Sequence, residues 1–119
     1  IKEIILQAQQ RVFRMVNSSL LDTYWQVGRL IVEDEQGGSV RAEYGENVLK
    51  EFARELTEEF GKGFDYTNLT NMRKFYLAFS NLDTLRQELS WSHYRLLSRL
   101  DSEEKRLYYL NESIANNRQ

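Results

Sequence analysis

Apolar residues recur every three to four positions along nearly the whole chain, and this spacing is typical of amphipathic helices. In the first third of the chain the pattern runs through Ile5, Val12, Val16, Val27 and Ile31. Alternation of period two, which would indicate a strand, is absent, and the chain contains no proline. The pattern therefore predicts an all-α domain, a compact bundle of five or six helices that begins with a long one.

Glycines divide the pattern in the first half of the chain. Residues 2–35 are expected to form one long helix, or two helices broken at residues 17–19. Residues 36–39 should end this segment, because paired glycines favour a turn over a continuing helix. A second helix is predicted from Glu46 to Phe60, and Gly61 follows where a left-handed conformation is easiest for glycine.

The second half shows further helix boundaries. A third helix should begin after Asp65 or Thr67, either of which can cap it, and end near residue 79. A short helical turn is expected at residues 83–88, and another helix at residues 92–100 with Ser90 or Ser92 as its cap. Asp101 and Glu104 have capping-box spacing and are expected to open the last helix.

Length and composition exclude several classes of protein. A chain of 119 residues suffices for one small domain, and its start at Ile1 leads us to expect a fragment of a longer protein. With no cysteine and one histidine, disulfides and the usual zinc sites are excluded, and no metal or cofactor is expected. No apolar run approaches the ~18 residues of a membrane span, and no signal peptide is present. We therefore expect a cytoplasmic protein without a membrane contact.

Charge is distributed unevenly, although the formal net charge is −2. Residues 41–65 contain four basic and seven acidic side chains, whereas residues 66–100 contain five basic and two acidic ones. A general nucleic-acid coating protein would be basic throughout. A positive surface can therefore come only from the second half.

The stretch "LTEEFGKGFDYTNLTNMRKFYLAF" has the layout of a helix-turn-helix, with two helices joined by a short turn that contains glycine. Leu69, Met72, Tyr76 and Phe79 form the apolar side of the second helix. Polar side chains on its other side could contact base edges and phosphates. With neighbouring cations, the predicted DNA contacts are Lys62, Thr67, Asn68, Thr70, Asn71, Arg73, Lys74, Arg95 and Arg99.

A helical interaction module remains a competing interpretation. The helix before this turn exposes Glu51, Glu55, Glu58 and Glu59, which would repel a phosphate backbone, and Lys62 offsets only part of that charge. The long first helix could instead pair two copies of the chain or dock on another domain.

Catalysis is the weak interpretation of "LSWSHYRLLSRLD". Helical spacing sets His93 in line with Leu97 and Leu100, so we expect a buried, hydrogen-bonded histidine. Arg95 and Arg99 should face solvent on the other side. The run at residues 103–105 has the residue types of a nuclease site but no preceding strand to carry a second acid. No catalytic residue is therefore assigned.

Three stretches, "YWQVGRLIVEDEQGGSVRAEYGENVL", "LTEEFGKGFDYTNLTNMRKFYLAF" and "LSWSHYRLLSRLD", resemble the N-terminal domain of the YhcG family. The resemblance covers almost the entire chain, although the proline that the family often has near residues 79–81 is missing. Members of that family carry a C-terminal PD-(D/E)xK nuclease domain. The resemblance implies that residues 1–119 are a single helical accessory domain without catalytic residues, which recognises DNA or directs assembly with its own nuclease domain. The long first helix adds a homodimer to the expected partners.

Overall fold

The computed structural model describes residues 1–35, 39–86 and 88–117. Within these ranges the chain forms five α-helices, two short 3-10 turns and no strand, which confirms the all-α prediction. The turn expected at residues 36–39 falls mostly on residues 36–38, outside the described ranges. The helices are α1 (Lys2–Glu35), α2 (Ser39–Phe60), α3 (Tyr66–Ala78), α4 (Trp91–Leu97) and α5 (Glu103–Asn117), and the 3-10 turns are Lys62–Phe64 and Leu82–Thr84.

The first helix, α1, is continuous over 34 residues and therefore about 51 Å long. It passes through residues 17–19 without a break, so the single-helix alternative is correct. Asn17 is buried in the core, and its Nδ2 donates to the carbonyl of Leu89 at 2.9 Å. A polar residue that could have ended the helix thus fixes a segment distant in sequence.

The two halves of α1 differ in burial. All of its buried residues lie from Asn17 onward, on one side of the helix that packs against the other helices. Residues 1–16, which we call the arm, contain no buried residue. The molecule measures 59 × 36 × 20 Å, an elongation that agrees with a helix half extending away from the body.

The core is centred on α3, where Leu69, Met72 and Phe75 are almost completely buried. Its main neighbour is α1, and the two helices approach most closely at Gly28. A Cβ atom at Gly28 would lie 2.1 Å from the carbonyl oxygen of Met72, far inside van der Waals contact. The crossing therefore requires a glycine at this position.

Aromatic rings join α4 to this core. The ring centroid of Phe75 lies 5.2 Å from that of Trp91 and 5.3 Å from that of Tyr94, and Tyr24 of α1 contacts Trp91 at 4.8 Å. Trp25 donates from Nε1 to the carbonyl of Phe79 at 2.7 Å. These contacts pack α1, α3 and α4 around shared aromatic side chains.

Several predicted boundaries need correction. The second helix begins at Ser39, seven residues before the predicted Glu46, and the helical turn expected at residues 83–88 is the 3-10 turn at Leu82–Thr84. The capping box at Asp101 is wrong. Ser102 Oγ accepts from the Lys105 amide at 3.1 Å, while Asp101 pairs with Lys105 Nζ, which holds the pKa of the Asp101 carboxyl below its usual value.

Candidate nucleic-acid interface

The connection between α2 and α3 is short and defined by two local features. Gly61 has φ 98°, in the left-handed region that favours glycine, and its amide donates to the Thr57 carbonyl at 2.9 Å. After the 3-10 turn, Asp65 caps α3, because its Oδ1 accepts from the Asn68 amide at 2.8 Å. Asp65 is therefore the cap, and Thr67 lies inside the helix.

An outward row on α3 consists of Thr67, Thr70, Lys74 and Leu77, at helical spacing. Thr67, Lys74 and Leu77 are exposed and Thr70 is half-buried. The Thr70 hydroxyl donates to the Thr67 carbonyl at 2.7 Å, so its methyl group is the part left for an outside partner. The row offers a cation, a hydroxyl and methyl groups to solvent.

Three of the predicted contact residues are engaged within the domain. Asn68 donates from Nδ2 to the Gly63 carbonyl and accepts at Oδ1 from Trp91 Nε1 at 3.2 Å. The side chain of Asn71 is 6% exposed. Arg73 Nε lies 2.8 and 2.9 Å from the two carboxylate oxygens of Glu35. These side chains orient α3 through contacts within the domain, and Asn71 is the least accessible of them to a ligand.

The remaining predicted cations lie in different surroundings. Lys62, in the turn, and Arg99, after α4, are exposed. Arg95 is half-buried, and its Nε is buried without a hydrogen-bond partner among the described residues. The expectation that both arginines face solvent therefore holds for Arg99 and is wrong in part for Arg95.

His93 is not the core residue of α4. It is half-buried, and its Nδ1 lies 3.2 Å from the Ser90 amide and 3.0 Å from Ser90 Oγ. The histidine thus holds the first turn of α4, with Ser90 as the cap. The core positions belong to Tyr94 and Leu97, and burial raises the pKa of the Tyr94 hydroxyl.

A groove of about 490 Å³ lies between α1, α2 and α3. Its lining is almost entirely apolar and includes Val27, Leu30 and Phe52, with Asp34 at the margin. Outside this lining, α2 exposes the predicted glutamates Glu51, Glu55, Glu58 and Glu59. Within the described ranges, acidic and histidine side chains form no group that could hold a metal ion, and no described helix has the length and hydropathy of a membrane span.

Comparison with known proteins assigns the family. The model of the DUF1016 N-terminal domain matches residues 1–118. The chain belongs to the DUF1016 N-terminal domain family. It is also 39% identical over 80 residues to "Putative nuclease YhcG" of Escherichia coli (strain K12), which agrees with the resemblance noted in the sequence. No solved structure matches the chain.

The matched segment covers 67% of this chain and 21% of the E. coli protein. This DUF1016 N-terminal domain therefore spans a small part of a relative that is named as a putative nuclease. Residues 60–79, which contain the turn and the outward row, lie inside the family match.

Sequence patterns missed three residues that position this surface. Asn17, Trp25 and Gly28 are all buried residues inside the first helix. A glycine within an apolar helical pattern is a signal of a close approach, and it was available for Gly28. The partners of Asn17 and Trp25 lie 72 and 54 residues away, so no local pattern indicates them.

Proposed function

We propose that the chain is a non-catalytic DNA-binding domain that brings a covalently linked nuclease domain to its target in the cytoplasm. The observation that carries the proposal is the outward row of α3, in which Thr67 and Lys74 are exposed and Thr70 is half-buried. The opposite side of α3 is braced by α1 and α4. The nuclease named in the E. coli relative supports a nucleic acid as the partner.

In this proposal α3 is the helix that enters the major groove of a helix-turn-helix-like unit. Thr67 and Thr70 contact base edges or thymine methyl groups, while Lys62, Lys74 and Arg99 contact phosphates. Arg73 acts indirectly, because its ion pair with Glu35 fixes α3 against α1. Asn68 and Arg95 contribute through packing, and Asn71 is left out because it is buried.

The test is a fluorescence anisotropy titration of the chain with a labelled duplex at several salt concentrations. Replacing both Lys62 and Lys74 by alanine removes two proposed phosphate contacts. We expect the salt slope to fall by about 2 and the affinity to fall roughly eightfold per contact at about 0.1 M salt.

Lys105→Ala is the matched control, since Lys105 is an exposed lysine on α5 outside the proposed surface. It should leave both the affinity and the salt slope as they are. If the double variant binds DNA with the slope of the unmodified chain, the outward row is not the interface. If the unmodified chain binds no duplex at low salt, the proposed function fails as a whole.

A further inference from the structure

The arm carries an apolar row that its own domain does not cover. Ile5, Val12 and Val16 are 53%, 60% and 63% exposed, and Ala8 lies between them. At about 100° per residue, this row faces the side of α1 opposite to Leu21 and the other core residues. The body packs on the core side, so the row can be covered only from the other direction.

The groove lies on the same side of α1 as the arm row. Val27 and Leu30 continue that side toward the end of the helix, and both line the groove. Leu30 is 66% exposed, and Phe52 on the facing helix α2 is 53% exposed. One side of α1 thus carries an apolar ridge in its first half and one wall of an apolar groove in its second half.

We propose that two copies of the chain form a two-fold symmetric dimer in which α1 pairs antiparallel with α1 of the second copy. The arm of each copy then lies in the groove of the other. A register centred between residues 19 and 20 sets Val12 opposite Val27, and Ala8 opposite Ile31. Ser19 and Thr23, which separate ridge from groove, lie at the crossing, where small side chains let two helices approach.

Charges on the two surfaces are complementary. The arm contains three basic residues and one acidic residue. At about 100° per residue, Lys2 and Arg11 flank the apolar row, whereas Arg14 lies on the far side of the helix. The groove has Asp34 in its lining, and Glu55 and Glu59 follow Phe52 along the same edge of α2 at three and seven residues. A basic helix approaching this rim is attracted to it, and the same pairing occurs twice in a symmetric dimer.

The contact area suffices for a stable dimer. An arm of 16 residues is about 24 Å long and about 10 Å across, so half of its cylinder presents about 380 Å². The groove presents a little more than half of that area, so two arm–groove contacts bury about 1,200 Å² in total. Stable interfaces bury about 1,200–2,000 Å², and the lining of this one is largely apolar.

Sedimentation velocity of the chain from about 1 µM to about 100 µM tests the proposal, because the dissociation constant expected for an interface of this area lies within or below that concentration range. The unmodified chain should sediment as a dimer at the upper end of the range. Val12→Glu in the arm and Phe52→Glu in the groove should each weaken association about 100-fold, since each places an uncompensated charge in an apolar contact. Both residues are exposed, so circular dichroism should show folded variants. Leu107→Glu, at an exposed apolar position on α5, is the control and should remain dimeric.

Mixing the two variants identifies the mode of pairing. A dimer of Val12→Glu with Phe52→Glu retains one intact arm–groove contact, so the mixture should associate more tightly than either variant by itself. Pairing of arm with arm would leave Phe52→Glu dimeric and would give no recovery of affinity in the mixture, and either result overturns the proposal.

A monomeric unmodified chain at about 100 µM overturns the proposal too. The inference does not depend on DNA binding, and the anisotropy experiment can fail while this one succeeds.

Discussion

At the scale of the residue, Tyr94 fixes the connection between α3 and α4. The side chain has no exposed surface. Its hydroxyl donates to the Arg86 carbonyl at 3.2 Å and accepts from the Arg86 amide at 2.5 Å. The phenol thus pairs with the Arg86 amide and adds a donor to the Arg86 carbonyl, which also accepts from the Leu89 amide at 3.3 Å. Burial raises the pKa of this hydroxyl.

Tyr94→Phe should lower the free energy of unfolding by about 1–3 kcal/mol, because the Arg86 amide loses its partner and the Arg86 carbonyl loses one of its two donors. The pH dependence follows from the raised pKa. The unfolded chain releases its phenolic proton near pH 10, before the folded chain does, so the stability supplied by Tyr94 is present below about pH 10 and declines above it. Urea unfolding at neutral and alkaline pH should show the difference between the two proteins shrinking. Tyr108→Phe, at an exposed position, serves as the control, and a difference unchanged at alkaline pH would contradict the assignment.

At the scale of the element, the crossing of α1 and α3 depends on the absence of a side chain at Gly28. The Met72 carbonyl that a Cβ atom would meet belongs to the backbone of α3, so no rotamer change can relieve the contact. The two helices must move apart, and every aromatic contact between α1 and α4 moves with them.

Gly28→Ala should therefore destabilise the domain by about 2–3 kcal/mol or more, in spite of the better helix propensity of alanine. Gly45→Ala is the matched control, because nothing lies within 4 Å of a Cβ at that position in α2. That variant should be neutral or more stable by up to about 1 kcal/mol. Thermal unfolding of both variants decides the matter. Equal melting temperatures for the two would mean that the helices cross elsewhere.

The sequence predicted the helices well because their signals are local. Gly61, Asp65 and the apolar spacing are sufficient to define α3, and its outward row follows from the same periodicity. The choice of the buried side of α1 could not be made in this way, since the arm row is as apolar as a core-facing row. The accessibility of Asn68, Asn71 and Arg73 could not be predicted from the sequence either. It depends on contacts with residues such as Glu35 and Trp91, which come together only in the folded chain.

At the scale of the whole molecule, the body and the arm are separable. The described contacts that hold the fold begin at Asn17, and the arm contains no buried residue. The arm is therefore expected to add little to the stability of one copy and much to the association of two.

Removing residues 1–12 should leave the stability of a single copy within about 1 kcal/mol, since no buried contact is lost. Two proteins that both carry Phe52→Glu are compared, one with residues 1–12 and one without them. This background is used because the substitution already weakens pairing. Chemical denaturation gives the free energy for each. A loss of several kcal/mol would show that the arm packs on its own body.

The hydrogen bonds from Asn17 to Leu89 and from Trp25 to Phe79 span 72 and 54 residues. During synthesis, α1 leaves the ribosome before the other helices of this domain, and its partners follow only when most of the domain has emerged. A nascent chain that ends before Trp91 and Tyr94 lacks the rings that close the core around Phe75. The domain therefore acquires its tertiary structure late in translation, and until then the apolar sides of α1 are open to chaperones.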